Sequence, residues 1–225
     1  LHSMRQFDDL TYVHSVNVAL IASILGQWLK FSEKDIRILT ISGLLHDIGK
    51  IMIPNEILTK PGKLTVAEYN IMKQHVNFGY EKVKNQNIDI RIKEAWLLHH
   101  EKCDGTGYPF GLKSDHIPAV AKIIAIADVY DAMTSARVYR GALCPFEVID
   151  TMYKDAFTKF EPEYILPFLK NVASSYINND VRLSDGRIGK VVLINENALS
   201  LPIVQCEDEF IDLSKTRELT VSAIL

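Results

Sequence analysis

Polar side chains of the kinds that bind metals interrupt the apolar segments of this chain, and they constrain its fold more than any other feature. Apolar residues in these segments recur about every 3.6 positions, which indicates helices. Each such side chain alone is more often an ordinary core or surface residue than a ligand. Together they predict helices that face one another around a shared polar site. Seven positions form the set: His14, His46, Asp47, His75, His99, His100 and Asp128.

The same spacing predicts the order of the elements. Thr65 and Glu68 form a capping-box pattern at the start of one helix. After Val181 the pattern changes to short segments of β-branched residues separated by turn signals. We therefore expect a mainly α fold, with a helical domain at residues 1–178 and a small β extension at residues 181–225. The predicted helices cover about residues 4–29, 33–51, 65–85, 88–100, 119–135, 145–157 and 162–176.

The composition excludes several classes of protein. A net charge of −3 over 225 residues does not suit a protein that coats nucleic acid. No apolar run approaches the roughly 20 residues that cross a bilayer, and the start resembles no signal peptide. Three cysteines far apart in sequence fit a reducing cytoplasm. Because the chain begins at Leu1 and not at methionine, we expect a piece of a longer protein, with an upstream sensory or receiver domain as one option.

Five imidazoles and two carboxylates without a thiolate favour iron, manganese, zinc or cobalt over calcium. Seven ligands exceed the needs of one ion, and Asp47 beside His46 is the natural bridging carboxylate. Two metals about 3.5–4 Å apart could hold a bridging hydroxide and clamp a phosphate for in-line attack. Lys50 follows His46 by one helical turn, so we expect its ammonium to face the same cavity.

Several segments resemble a known family. His14, the His46-Asp47 pair and Asp128 resemble the pattern of HD-superfamily phosphohydrolases. The segments IPNEILTKPGKLT, MKQH, HHEKCDGTGYPFGL and DVYDAMTSARVYR occur in the same order as in the HD-GYP domain, a bacterial family that hydrolyses cyclic di-GMP. The resemblance runs from about residue 12 to about residue 168.

The resemblance implies an HD-type helical bundle with a buried metal centre, commonly iron or manganese, held by the seven residues named above. It implies a metal-dependent phosphodiesterase that converts cyclic di-GMP to linear pGpG, GMP or both. Family members with three metals carry a glutamate four residues before the first histidine. Leu10 stands at that position here, so we expect two divalent metal ions.

The resemblance also implies substrate contacts. Lys50 matches a phosphate-contacting lysine, and Arg137 and Arg140 match basic substrate-binding positions. Asp131 is expected to support a ligand or face the substrate, because it follows Asp128 by three residues. Tyr108 is expected at the substrate mouth, and the Gly107-Tyr108-Pro109 loop serves contacts with diguanylate cyclase domains in relatives.

Three alternatives stay open. A related ring, such as a mixed GMP–AMP cyclic dinucleotide, could be the substrate. A catalytically weak relative could signal by binding a nucleotide or a partner protein, although every position of the two-metal set is present. An HD hydrolase of another phosphate ester is the third reading, and His75, His99, His100 and the Gly107-Tyr108-Pro109 loop argue against it.

Overall fold

The computed structural model describes residues 9–135, 143–216 and 218–225. Two short 3₁₀ helices, Ile48–Met52 and Ser114–His116, connect longer elements. The predicted mainly α fold is confirmed in these ranges. The α-helices there are α1 (Asp9–Trp28), α2 (Glu33–Leu45), α3 (Asn55–Leu58), α4 (Val66–Met72), α5 (His75–Val83), α6 (Ile90–Leu98), α7 (Ala119–Thr134), α8 (Pro145–Lys154) and α9 (Pro162–Ser175).

Four predicted helix boundaries were wrong. The helix predicted at residues 33–51 ends at Leu45, the one at 65–85 is broken between α4 and α5, the one at 88–100 ends at Leu98, and the one at 145–157 ends at Lys154. The segment after α2 packs closely against the start of α5. Gly49 lies so close to the backbone there that an added Cβ would overlap the carbonyl oxygen of His75. Only glycine therefore fits at this position.

Helix α7 is the central helix of the bundle. Its residues Ile123, Ile124 and Ile126 are fully buried although they point in different directions around the helix axis. Leu25 of α1 and Leu39 of α2 are also fully buried, and both belong to the same hydrophobic cluster. The buried apolar surface of these helices fixes their relative positions, and with them the positions of the polar residues on their inner faces.

Two helix starts carry the caps that the sequence indicates. The Ser32 hydroxyl accepts the backbone N–H of Asp35 at the start of α2. At the start of α4, the Thr65 hydroxyl accepts the N–H of Glu68, and the Glu68 carboxylate accepts the N–H of Thr65. The predicted capping box is thus confirmed, and it fixes the beginning of a helix that buries none of its residues.

The C-terminal residues form a five-stranded antiparallel sheet in the order β4-β3-β2-β1-β5. Val181, Val191 and Val204 are buried between less buried neighbours along their strands and join the hydrophobic cluster that contains Phe146 and Phe168 of the helices. The predicted β unit is present, and its separation as a second domain remains a prediction. The strands are β1 (Asp180–Leu183), β2 (Ile188–Leu193), β3 (Ile203–Cys206), β4 (Glu209–Asp212) and β5 (Val221–Ile224).

Within the described ranges, no helix combines the length and the apolar character that a bilayer-crossing segment needs.

Candidate metal centre

The structure brings all seven predicted ligand residues together inside the bundle. They come from α1, from the turn after α2, from the start of α5, from the end of α6 and from α7. Their possible ligand atoms form two groups, each with all atoms within 4.8 Å of one another. The first group, called here the Asp47 group, contains Asp47, His75, His99 and His100; the second, the His14 group, contains His14, His46 and Asp128.

Asp47 lies between the two groups. Its Oδ1 is 3.3 Å from Nε2 of His75, within its own group. Its Oδ2 is 3.3 Å from Nε2 of His46 and 3.9 Å from Nε2 of His14, both in the other group. One carboxylate thus directs its two oxygens toward two separate sets of imidazoles, which is the arrangement that a bridging ligand requires.

Backbone carbonyls orient three of the imidazoles. The Nδ1–H groups of His46, His75 and His99 donate to the carbonyl oxygens of Gly43, Met72 and Trp96 at 2.7, 2.8 and 3.0 Å, respectively. Since a carbonyl only accepts, the proton lies on Nδ1, and Nε2 keeps a free lone pair. A hydrogen bond of this kind commonly orients a metal-bound histidine.

Four atoms at the centre lack the hydrogen bonds that burial normally demands. Among the described residues, the Nε2 atoms of His46, His75 and His99 and the Oδ1 atom of Asp47 are buried and have no hydrogen-bond partner. Each of these atoms can donate a lone pair to a metal ion. The residues therefore fit a metal centre, since bound ions would supply the partners that the protein does not.

His14 is oriented by a carboxylate. Its Nδ1 donates to Oδ2 of Asp131 at 2.6 Å, and its Nε2 lies 3.0 Å from Oδ1 of Asp128. Asn17 and Ser135 in turn donate to the other oxygen of Asp131. Burial opposes protonation of His14, but the two aspartates together raise its pKa to about 9. Asp131 thus holds the His14 ring in the structure, and its role in supporting a metal ligand remains a prediction.

The electrostatics of the remaining donors favour the states that bind metals. Burial lowers the pKa of His75 and His99, and it lowers the pKa of His100 to about 3, so these imidazoles are neutral. Burial alone would raise the pKa of Asp47 and Asp128. Hydrogen bonds and neighbouring positive charges outweigh burial and hold both pKa values well below the usual range. Neutral imidazoles and ionised carboxylates are the forms that coordinate a cation.

The glycine-rich segment after α6 covers one side of the centre. The Tyr108 ring stacks on the His100 ring, with 4.7 Å between centroids and 27° between planes. Burial raises the pKa of the Tyr108 phenol, which therefore stays neutral. Gly107 lies against the backbone of Glu101, and an added Cβ there would overlap it. Tyr108 is thus held beside His100, and its place at a substrate mouth remains a prediction.

Glu101 is a residue that the sequence analysis missed. It is 3% exposed, and its carboxylate accepts the backbone N–H groups of Phe110, Gly111 and Leu112 at 2.7, 3.1 and 2.9 Å. The carboxylate thereby closes the loop that carries Tyr108. The available signal was a glutamate that directly follows two histidines and precedes a glycine-rich stretch.

A cavity of about 880 Å³ opens onto this centre. Lys50 lines it, and its Nζ lies 2.6 Å from Oδ2 of Asp47. Tyr69, Tyr108 and Lys102 also line the cavity. Lys102 was not among the predicted site residues, and burial lowers the pKa of its ammonium. The predicted substrate-binding residues Arg137 and Arg140 lie outside the described residues.

Comparison with known proteins identifies the family. The HD domain family model matches residues 6–164, which is well over half of the chain. The chain belongs to the HD domain family. Members of this family that hydrolyse phosphate esters depend on metal ions, and the two donor groups described above could hold them. The family predicted from the sequence is thereby confirmed.

Two curated relatives illustrate the range of activities. The chain is 36% identical over 203 residues to "Cyclic di-GMP phosphodiesterase PA4108" of Pseudomonas aeruginosa, covering 90% of this chain and 49% of that protein. It is 40% identical over 147 residues to "3'3'-cGAMP-specific phosphodiesterase 1" of Vibrio cholerae, covering 64% of this chain and 33% of that protein. The chain thus spans half or less of the length of both relatives.

A solved structure supports the fold. Bd1817, described as a HDG"Y"P protein from Bdellovibrio bacteriovorus, superposes with a TM-score of 0.59 and is 23% identical. The match covers 70% of this chain and 50% of that one. The helical bundle is therefore the HD-type bundle that the sequence predicts.

Proposed function

We propose that this chain is a metal-dependent phosphodiesterase that hydrolyses cyclic di-GMP to linear pGpG, GMP or both. One observation carries the proposal: the two oxygens of Asp47 face two neighbouring groups of imidazoles and carboxylates, at a cavity that Lys50 also lines. The relative from Pseudomonas aeruginosa, which matches 90% of the chain, supports cyclic di-GMP as the substrate.

The proposed cofactors are two divalent transition-metal ions, one at each donor group, with Asp47 as the shared ligand. Iron and manganese are the proposed ions because the family resemblance implies them, and zinc and cobalt, which imidazole and carboxylate donors also accept, are alternatives. When bound, the ions would supply positive charge that neutralises the phosphate, and they would lower the pKa of water. The unpartnered Nε2 atoms of His46, His75 and His99 support this assignment.

The chain's own residues position the substrate in this proposal. Lys50 would hold a non-bridging oxygen of the scissile phosphate, because its ammonium lies beside Asp47 and faces the cavity. Tyr108 would offer a neutral hydroxyl and an aromatic wall, which keeps bulk water from that side of the phosphate. Asp131 would hold His14 in the orientation in which Nε2 faces its group. Substrate binding by Arg137 and Arg140 remains a prediction.

The second candidate substrate is a mixed GMP–AMP ring, which the 40% identical relative from Vibrio cholerae favours. Contacts between the Gly107-Tyr108-Pro109 loop and diguanylate cyclase domains remain a prediction. An upstream sensory or receiver domain and a cytoplasmic location also remain predictions. The remaining alternative is a signalling module that binds a nucleotide or a partner protein without cleaving it. A turnover assay distinguishes this alternative from the proposed phosphodiesterase.

The first test is an assay of turnover with defined metals. The purified protein would be reconstituted without oxygen with Fe(II) or Mn(II) and incubated with cyclic di-GMP or 3'3'-cGAMP. Chromatography would then separate the cyclic ring from pGpG, GMP and AMP products. Asp47→Ala would remove the shared carboxylate. His116→Ala is the matched control, because His116 is an exposed histidine outside both donor groups.

We expect metal-dependent cleavage of cyclic di-GMP by the wild type and by His116→Ala, and none by Asp47→Ala. Faster cleavage of 3'3'-cGAMP would assign the mixed ring as the preferred substrate. Binding of either ring without cleavage, in protein that contains two metal ions per chain, would contradict the phosphodiesterase proposal and leave the binding module.

A further inference from the structure

The lysines that line the cavity differ in their electrostatic partners. Lys50 is paired with Asp47, Lys60 with Glu68 at 2.7 Å and Lys159 with Asp155 at 2.9 Å. The fourth lysine of the lining is Lys102. Within the ranges that the structure describes, no carboxylate lies within ion-pair distance of its ammonium.

Lys102 is nevertheless held in place. Its Nζ lies 5.1 Å from the centroid of the Phe160 ring, and Lys102 lines the cavity together with Gly107 and Tyr108. Its side chain is partly buried, so its charge has lost part of its hydration. A partly desolvated cation with none of the described carboxylates at ion-pair distance gains from binding an anion in the cavity.

The substrate class of the proposed function carries such an anion. A cyclic dinucleotide contains two phosphodiester groups, each with one negative charge. In the proposed function, Lys50, which lies beside Asp47, binds the phosphate at the metal centre. The other phosphate enters the same cavity, where an unpaired charge would be costly. We propose that Lys102 binds the phosphate that is not cleaved and so selects substrates that carry two phosphates; this inference rests on the proposed function.

The test compares substrates with two phosphates and with one. Cyclic di-GMP carries two, and bis(4-nitrophenyl) phosphate is a diester with a single phosphate. Lys102→Met removes the charge but keeps an apolar stem that can pack on Phe160. Lys102→Arg restores the charge. Lys113→Met is the matched control, since Lys113 is an exposed lysine of the same loop and does not line the cavity.

Lys102→Met should raise KM for cyclic di-GMP at least tenfold, the effect expected when a charged hydrogen bond is lost. It should change kcat less than threefold and leave kcat/KM for bis(4-nitrophenyl) phosphate within twofold of the wild type. Lys102→Arg should return KM for cyclic di-GMP close to the wild-type value. Lys113→Met should leave KM and kcat for both substrates unchanged. An equal loss with both substrates, or no loss with either, would overturn the assignment of Lys102.

A binding measurement separates this assignment from the proposed function. Metal-loaded protein would be titrated calorimetrically with cyclic di-GMP in which a sulfur replaces one non-bridging oxygen of each phosphate to slow cleavage. Lys102→Met should weaken binding of this analogue at least tenfold. If the wild type cleaves no cyclic dinucleotide, the proposed function fails, and this affinity still decides the role of Lys102. Equal affinities of wild type and Lys102→Met refute that role even when turnover is normal.

Discussion

Replacement of Glu101 tests how the loop that carries Tyr108 is held. The carboxylate accepts three backbone N–H groups, from Phe110 and Gly111 on Oε1 and from Leu112 on Oε2. In Glu101→Ala all three donors lose their partner. Phe110 and Gly111 are exposed, so water can replace part of each bond, and a loss of about 1 kcal/mol for each is the appropriate magnitude. We therefore expect Glu101→Ala to lower the free energy of unfolding by about 3 kcal/mol.

Glu101→Gln should cost less. The amide oxygen can still accept the N–H groups of Phe110 and Gly111, but its NH₂ group faces the N–H of Leu112, so about 1 kcal/mol is lost. For a chain of this size, 1 kcal/mol shifts Tm by about 2–4 °C, which predicts falls of roughly 6–12 °C for alanine and 2–4 °C for glutamine. Asp115→Asn is the control, because this exposed carboxylate of the same loop pairs with the exposed His116.

Thermal unfolding and hydrogen exchange would measure these effects. The amides of residues 110–112 should exchange faster in Glu101→Ala, while those of α7 should exchange at the rate set by global stability. KM for the substrate should also rise, because Tyr108 loses the loop that holds it. A Tm within 2 °C of the wild type, together with unchanged exchange at Phe110, Gly111 and Leu112, would refute the role given to the carboxylate.

Three further predictions concern the surroundings of the centre. Gly49→Ala should cost more than about 3 kcal/mol and reduce bound metal, since its methyl group would overlap the His75 carbonyl; chemical denaturation and elemental analysis would measure both. The pKa of Glu68 is lowered to about 2, chiefly by the hydrogen bond from Lys60. The ionised Glu68 carboxylate therefore stabilises α4 fully above the unfolded pKa near 4.5, and this stabilisation is lost as the pH falls through about 2. Hydrogen exchange of α4 at decreasing pH should show this loss, which Glu68→Gln should abolish. His99→Ala should lower the metal content from two ions to about one per chain, whereas His116→Ala should leave two.

The residues that the structure brings together at the centre could be selected from the sequence because the signal is local. A histidine or aspartate in an apolar helical segment, such as His14 or Asp128, is visible from the residues around it. The fold class followed from the same periodicity. The family resemblance indicated that these residues belong to one site. Residue spacing alone does not predict that α1 and α7 face each other.

Other features depend on contacts between distant parts of the chain. Glu101 binds backbone amides that lie nine to eleven residues later in the chain. The sequence does not indicate that the loop folds back onto this carboxylate, which could equally have been exposed to water. The role of Lys102 depends on which carboxylates fail to reach it, which is a property of the folded structure. The packing of Gly49 against His75 is equally invisible, since the two residues lie on separate elements.

The wrongly predicted helix ends explain how neighbouring residues can serve one centre. In a continuous helix, adjacent side chains point about 100° apart, which made His99-His100 a weak signal. Helix α6 ends at Leu98, and the two imidazole rings lie with their centroids 4.1 Å apart. Helix α2 likewise ends at Leu45, one residue before His46.

Asp47 follows with φ −96° and ψ 11°, outside the helical region, so His46 and Asp47 can both face the centre. Each helix end therefore places two donors with one turn of backbone that the surrounding core already orders. Fixing those two residues then costs little additional conformational entropy, because the packed helix before them already restricts the backbone. His46 and His99 keep helical φ and ψ as the cap residues of their helices, so each pair of predicted donors lies directly at a helix end that the surrounding core orders.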